Sequence, residues 1–188
     1  MIFVSGPSNM SIDWPSITSK LPSNRTDEEK EIRRKIFKEF DTKENGYLTL
    51  TEAKEGILSL LKLDEKVFDL ETVVKKAYDV GKVAAKAKKG DFFANNYIEW
   101  KEFRFFLSVL RQYLEYWVAF TRVDENDDKK INLDEFKANQ KIIEKWVGKI
   151  DAEEEFKKID ANQGGSINFQ EFIDWATKKS LDLEDDDD

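Results

Sequence analysis

The chain contains no cysteine and no histidine among its 188 residues. The first absence excludes disulfides and thiolate metal sites, and the second removes the commonest zinc ligand and the usual general base. A bound metal ion must therefore be held by oxygen, which favours calcium, magnesium or manganese. The sequence also lacks a glycine-rich phosphate loop and a serine nucleophile motif, so we expect that the protein is not an enzyme.

Positive charge and long apolar runs are scarce as well. Lys and Arg number 31 against 39 Asp and Glu, and the resulting net charge of −8 argues against nucleic acid as a partner. Every apolar run is shorter than the ~20 residues of a membrane span, so we expect no transmembrane segment. Residues 1–4 are too short for a signal-peptide core, and Ile2 replaces the glycine that myristoylation requires. We therefore expect a cytoplasmic location.

Two twelve-residue runs that start with Asp and end with Glu dominate the C-terminal half. Oxygen-bearing side chains recur at positions 1, 3, 9 and 12 of both runs, which is the ligand pattern of a calcium loop between two helices. Position 7 contributes a backbone carbonyl. The predicted ligands of this third loop of the chain are Asp124, Asn126, Asp128, Lys130, Asn132 and Glu135. Those of the fourth loop are Asp160, Asn162, Ser166, Asn168 and Glu171.

Neither of these loops is ideal. The third has Lys129 at position 6, where glycine is expected because the backbone there needs a positive φ, and we expect a strain of ~1 kcal/mol. The fourth has Gly165 at position 6, but Gly164 at position 5 removes one side-chain ligand, which a water molecule can replace. We expect both loops to bind calcium, with magnesium as a competitor.

Two N-terminal runs have the same frame with weaker ligand sets. The first loop has Lys43 at position 3, where an oxygen belongs, and its candidate ligands are Asp41, Asn45, Tyr47 and Glu52. These residues leave open whether the first loop is a third calcium site or an acidic surface turn. In the second loop, residues 91–102, Phe93 replaces a ligand and Asn96 replaces the glycine. We expect this second hand to be structural and free of metal.

Helical periodicity on both sides of every loop predicts an all-α fold, with four helix–loop–helix units in two lobes. The apolar residue at position 8 predicts one short strand pairing in each lobe, between Leu48 and Ile98 and between Ile131 and Ile167. The expected divisions are an arm at 1–25, an N-terminal lobe at 26–112, a C-terminal lobe at 113–183 and an acidic tail at 184–188.

Several local signals refine this plan. Thr26–Glu29 is a capping box and Asp151–Glu154 is a second capping signature. The first is followed at helical spacing by Ile32, Ile36, Phe37 and Phe40. We expect two consecutive helices between Trp100 and Val123, joined near Ser108–Gln112, and a helix break near Gly148. In the arm, the apolar residues either form one face of a short helix or cover the core from an irregular segment, which we favour; they are Trp14, Ile17 and Leu21.

The chain resembles the EF-hand superfamily and, within it, the calflagins, the flagellar calcium-binding proteins of protozoa. The likeness covers most of residues 14–183, and its clearest segments are Leu21-Pro22, Glu31–Asp41, Leu61–Glu65, Ile98–Arg104 and the last hand with Phe172 and Trp175. It implies a calcium sensor of flagella or cilia with two calcium-competent C-terminal hands. The membrane association of that family through N-terminal acyl chains is not carried over, because the chain lacks a Gly-Cys start.

A sensor must present a surface to a partner when calcium binds. Only Met1 and Met10 are methionines, so we expect that surface to be aromatic and to come from residues 100–120. The alternative is a cytosolic buffer of the sarcoplasmic calcium-binding type, which barely opens. The protein target is unknown. A basic segment, Lys75–Lys89, predicts either peripheral contact with anionic lipid or a solvated helix face, and we favour the solvated face.

Overall fold

A computed structural model describes residues 14–63, 69–86 and 97–179, with side chains omitted for 83–86. The described residues form helices and two short sheets, which confirms the all-α prediction. The helices are α1 Trp14–Lys20, α2 Asp27–Phe40, α3 Leu50–Leu61, α4 Leu70–Lys86, α5 Trp100–Val123, α6 Leu133–Ala138, α7 Gln140–Val147, α8 Ala152–Ile159 and α9 Phe169–Lys179. The strands are β1 Tyr47–Leu48, β2 Ile98–Glu99, β3 Lys130–Asn132 and β4 Ser166–Asn168.

The strands join the loops in antiparallel pairs, as predicted. Leu48 lies opposite Ile98 in the β1–β2 pair, and Ile131 lies opposite Ile167 in the β3–β4 pair. All four side chains are fully buried. An apolar residue at position 8 therefore anchors each loop in the core.

The chain divides into two compact units, Trp14–Leu114 and the residues from Glu115 onward. The division falls inside α5, which is a single helix of 24 residues, so the prediction of two helices there was wrong. Residues 108–112 contain neither proline nor glycine, and nothing in the backbone interrupts the helix. The helix buries all residues from Tyr116 to Phe120. This continuous burial hides the spacing of 3.6 residues by which apolar side chains usually mark a helix.

The N-terminal unit differs from the prediction in its first two helices. Trp14–Lys20 forms α1 instead of an irregular segment, although its apolar residues are buried as expected. On α2, Ile32 is 46% exposed and Arg33 is buried instead. The Arg33 guanidinium donates to the Asn24 carbonyl at 2.6 Å and to the Pro22 carbonyl at 3.4 Å, so its burial is compensated by hydrogen bonds.

The capping signatures form only in part as predicted. The Thr26 hydroxyl accepts the Glu29 N–H at 3.3 Å, but the Glu29 carboxylate accepts from the Asn24 backbone and side chain at 2.7 and 2.6 Å. Asp151 caps α8 by accepting the Glu154 N–H at 3.0 Å. One face of α4 is buried, and its members are Leu70, Val73, Val74, Ala77, Tyr78 and Gly81.

The C-terminal unit has an aromatic core between its helices. Phe120 on α5 packs edge-on against Phe169 and Phe172 of α9, with ring centroids 5.4 and 5.5 Å apart. The break near Gly148 is confirmed, since α7 ends at Val147 and Gly148 has a φ of +80°. A second break, at Asn139 between α6 and α7, was not predicted.

Candidate metal centres

Three of the four loops lie in the described part of the chain, and their backbones turn alike. Position 4 has φ between +52° and +59° in Glu44, Asp127 and Gln163. Position 6 has φ of +82°, +64° and +79° in Gly46, Lys129 and Gly165. Lys129 therefore adopts the left-handed conformation that glycine adopts at position 6 of the other two loops, as predicted, at a cost of ~1 kcal/mol. The three loops therefore share one backbone conformation at these positions.

The glutamate at position 12 closes each frame from the exit helix. One carboxylate oxygen of Glu52, Glu135 and Glu171 accepts the N–H of position 9 at 3.0, 2.9 and 3.0 Å. The position 9 side chain accepts the N–H of the glutamate in return, in Thr49, Asn132 and Asn168. The first turn of the exit helix thus orients a buried carboxylate into the loop.

The other oxygen of this glutamate reaches the opposite side of the loop. Glu135 accepts the Asn126 N–H at 3.2 Å, and Glu171 accepts the Asn162 N–H at 3.1 Å. The Asn162 side-chain amide also donates to Glu171, at 2.6 Å. Positions 3 and 12 are therefore neighbours in both C-terminal loops, as a shared cation would require.

The aspartate at position 1 separates the third loop from the others. Both carboxylate oxygens of Asp160 accept loop N–H groups, from Gly164 and Gly165, each at 2.9 Å. Asp41 is satisfied in the same way by two loop N–H groups at 3.0 and 2.8 Å. Asp124 accepts the Lys129 N–H on Oδ2 at 2.9 Å, whereas its Oδ1 is buried without a hydrogen-bond partner.

The unpaired oxygen of Asp124 has an electrostatic consequence. Burial raises the pKa of Asp124 to about 6, against the lowering effect of the Lys129 N–H, and the negative charges of Asp128 and Glu135 raise it further. A buried acceptor among other carboxylates is an environment that a cation would satisfy. The donor set of the third loop therefore fits an oxygen-ligated divalent ion.

Carboxylates alone do not make up any of these sites. In the described ranges, no group of three or more Asp or Glu side chains lies close enough to hold a metal ion by itself. The loops instead combine carboxylates with amide and carbonyl oxygens, which is the mixture that calcium accepts. In the third loop, Asn126 Oδ1 and Asp128 Oδ1 each accept a loop N–H, from Asp128 at 2.8 Å and Lys130 at 2.9 Å.

The first loop satisfies its glutamate with hydroxyl groups. Glu52 accepts from the Thr49 hydroxyl at 2.7 Å and from the Thr42 hydroxyl at 3.2 Å. Burial would raise the pKa of Glu52, but the hydrogen bonds from Thr49 and Thr42 and the charge of Lys43 outweigh it and lower the pKa. Sequence reasoning missed Thr42, because position 2 is not a ligand position. The glutamate of this loop is thus already stabilised by the protein.

Only the end of the second loop is described. The Glu99 N–H donates to Glu102 Oε2 at 3.2 Å, which repeats the contact between positions 9 and 12. Tyr97 stacks on Tyr47 of the first loop with centroids 4.3 Å apart. The substituted positions, Phe93 and Asn96, lie outside the described residues.

The basic segment is described only in part. Lys75, Lys76 and Lys82 lie on α4, whereas the side chain of Lys86 and all of Lys88 and Lys89 lie outside the description. Lys75 is exposed, and Lys82 pairs with Asp79 at 2.6 Å. The described part of this face therefore has some of its positive charge neutralised locally.

Comparison with known proteins shows that the chain is similar to flagellar calcium-binding proteins of trypanosomes. A family model described as the FCaBP EF-hand domain matches residues 17–110. The flagellar calcium-binding protein of Trypanosoma cruzi is 32% identical over 176 residues, which are 93% of this chain and 83% of that protein. In Trypanosoma brucei brucei, TB-24 is 32% identical over 173 residues, covering 92% of this chain and 79% of the relative.

A longer relative from the same organism, the flagellar calcium-binding protein TB-44A, is 33% identical over 173 residues, which are 92% of this chain and 42% of that protein.

None of the helices in the described ranges has the length and apolar character needed to cross a membrane.

Proposed function

The chain belongs to the flagellar calcium-binding protein family, and on this premise we propose that it is an EF-hand protein that binds two calcium ions in its C-terminal unit. The observation that carries the proposal is the buried Oδ1 of Asp124, which has no hydrogen-bond partner in a loop with the EF-hand turn. The family is one of calcium-binding proteins and not of enzymes.

The ligands follow from the loop positions. In the third loop the ion would be held by side chains and the position 7 carbonyl of Asp124, Asn126, Asp128, Lys130, Asn132 and Glu135. In the fourth loop the ligands would be Asp160, Asn162, Ser166, Asn168 and Glu171. A third ion in the first loop would use Asp41, Asn45, Tyr47 and Glu52, and magnesium would compete for all of these oxygen sites.

Calorimetric titration with calcium tests this assignment. We expect two sites in the parent chain, one in Glu135→Gln or Glu171→Gln, and none in the double variant, since the bidentate carboxylate at position 12 is lost. Glu52→Gln is the matched control at the same position of the first loop. A loss of one ion in this control would assign a third site there. Unchanged stoichiometry in the double variant would contradict the C-terminal assignment.

We further propose that calcium binding reshapes the aromatic surface of the C-terminal unit for a partner. Trp117 and Phe120 on α5 contact Phe169 of α9, with the Trp117 and Phe169 rings edge-on at 4.5 Å. A change in the angle between these helices would expose large apolar rings. The competing function is a calcium buffer, which the complete burial of Phe120 favours. A hydrophobic dye that gains fluorescence on calcium addition supports the sensor, and no gain supports the buffer.

The relatives are named for the flagellum, and we propose a flagellar or ciliary association for this chain as well. Imaging a tagged chain in a flagellated cell tests it, and a uniform distribution through the cell would contradict it. Peripheral contact with anionic lipid through the Lys75–Lys89 segment is a separate proposal, supported by the exposed Lys75. Binding to phosphatidylserine vesicles that is lost on Lys75→Glu would support it, and unchanged binding would end it.

A further inference from the structure

Glu155 is a buried carboxylate that the proposed calcium sites do not use. It lies on α8, five residues before Asp160, and its side chain is 6% exposed. Trp175 Nε1 donates to Oε1 at 2.8 Å, Lys179 Nζ reaches the same oxygen at 2.9 Å, and Lys158 Nζ reaches Oε2 at 3.2 Å. Burial would raise the pKa of Glu155, but these hydrogen bonds outweigh it and lower the pKa to about 2. We therefore expect this carboxylate to be charged at neutral pH.

The three donors come from both helices of the fourth hand. Lys158 lies on α8 with Glu155, whereas Trp175 and Lys179 lie on α9, beyond the calcium loop. The contact from Trp175 is buried, and its ring also packs against Phe172 at 5.5 Å. Hydrogen bonds to a charged group are stronger than neutral ones, above all where water is excluded. Glu155 thus ties the entering helix of this hand to its exiting helix.

The first and third hands lack the residues for this tie at the equivalent positions. The residues five before the first aspartate and four after the last glutamate of the third loop are Ala119 and Asn139. In the first hand they are Ile36 and Gly56. Neither pair can form a carboxylate–indole hydrogen bond. The tie is therefore a property of the fourth hand and does not belong to the general EF-hand frame.

We propose that Glu155, Trp175 and Lys179 form a latch that keeps the fourth hand closed, so that any calcium-dependent opening of the C-terminal unit occurs in the third hand. The part of this proposal that concerns calcium rests on the proposed function, while the tie between α8 and α9 does not. The third hand also has the buried, unsatisfied Asp124, so it gains more from an ion. Opening would then be asymmetric, with one hand that moves and one that holds its shape.

A matched pair of lysine substitutions tests the latch in the full chain. Lys158→Gln and Lys179→Gln each remove one positive charge that pairs with the Glu155 carboxylate. Only the second substitution breaks a contact between the two helices. Trp175→Phe removes the buried hydrogen bond while it keeps an aromatic ring. Each variant is titrated with calcium by calorimetry, and the fluorescence of a hydrophobic dye is recorded with and without calcium.

We expect Trp175→Phe to raise the population of the open fourth hand about tenfold, since a hydrogen bond to a charged group is lost, and to increase the calcium-dependent dye signal accordingly. Lys179→Gln should increase the signal less, because the ion pair is partly exposed, and Lys158→Gln should match the parent. All three should still bind two ions. Equal dye signals in the two lysine variants, or no increase in Trp175→Phe, would overturn the latch.

The thermal midpoint in chelator separates failure of the latch from failure of the proposed function. If the parent binds no calcium, the proposed function fails, but the tie still predicts a lower midpoint for Lys179→Gln than for Lys158→Gln. Equal midpoints in chelator would overturn the tie itself. If Trp175→Phe does not fold, the lysine pair decides alone.

Discussion

Replacing Asp124 by asparagine should stabilise the calcium-free protein and weaken calcium binding at the same time. Asparagine keeps an oxygen that can accept the Lys129 N–H, which now donates to Asp124 Oδ2 at 2.9 Å. It also replaces the unpartnered carboxylate oxygen with an amide nitrogen and removes a buried negative charge. In the absence of calcium the protein therefore loses a source of instability, whereas the site loses its position 1 carboxylate.

The pKa of Asp124 sets the size of the effect. A rise from 3.8 to about 6, at ~1.36 kcal/mol per pKa unit, corresponds to at most about 3 kcal/mol of unfolding free energy. Since the folded state favours the protonated acid, this contribution is favourable below pH 4 and is lost as the pH rises through 6. We expect Asp124→Asn to exceed the parent by about 1–3 kcal/mol at pH 7.5 in chelator, with the difference shrinking toward pH 4.

Asp160→Asn is the matched control in the fourth loop. Both oxygens of Asp160 accept backbone N–H groups, from Gly164 and Gly165. An amide in either orientation would turn its nitrogen toward one of these donors, so we expect a loss of ~1 kcal/mol in chelator. The two substitutions have the same chemistry at the same loop position, and the structure predicts opposite signs for their effects on stability.

Urea unfolding in chelator and in saturating calcium measures both effects. Calcium should stabilise the parent more than either variant, because ligand binding to the folded state adds to the free energy of unfolding. Thermal midpoints should follow, by several degrees per kcal/mol for a unit of this size. If Asp124→Asn is not more stable than the parent at pH 7.5 in chelator, or if both variants shift in the same direction, the reasoning from the unpaired oxygen is refuted.

Two further substitutions test the backbone of the hands by urea unfolding. Lys129→Gly relieves the strain of a positive φ but adds conformational freedom to the unfolded chain. It should therefore stabilise the protein by less than ~1 kcal/mol and leave the calcium stoichiometry unchanged. A clear destabilisation would contradict the proposed strain at Lys129. Gly56→Ala places a Cβ 2.4 Å from the Phe40 ring, and the cost of this overpacking, ~1–3 kcal/mol, should exceed the ~1 kcal/mol gained in helix propensity. The control is Gly81→Ala, whose Cβ meets Ile98 Cδ1 at 3.2 Å and Phe106 Cβ at 3.4 Å and should therefore cost less. A stabilised Gly56→Ala would contradict the packing.

The frame of the hands could be predicted from the sequence because each of its parts is local. A positive φ at position 6 follows from the loop pattern itself, even where Lys129 replaces glycine. The pairing of Ile131 with Ile167 follows from an apolar residue at the same position of two repeats. Such features need no knowledge of what surrounds the loop, so the sequence pattern was sufficient for them.

Features that depend on neighbours in space could not be predicted in this way. The loop pattern gives Asp124 and Asp160 the same position, yet both oxygens of Asp160 accept backbone N–H groups whereas Asp124 Oδ1 has no hydrogen-bond partner. Ile32 matches the apolar period of α2, yet Arg33 is the buried residue, because backbone carbonyls outside the helix accept hydrogen bonds from its guanidinium group. In both cases contacts that the sequence pattern does not specify decide the environment of the residue.

The two C-terminal loops therefore combine stability and ligand supply in opposite ways. The third loop keeps a side-chain oxygen at positions 1, 3, 5, 9 and 12, but its strained Lys129 and its buried Asp124 destabilise it without an ion. The fourth loop lacks a side chain at Gly164, but backbone N–H groups satisfy both oxygens of Asp160. A Cβ at Gly164 would also lie 2.5 Å from Asn162 Oδ1, so a ligand added there must displace one already present. A loop that is well satisfied without calcium has less to gain from it, and for this reason we expect the conformational response to calcium to begin at the third loop.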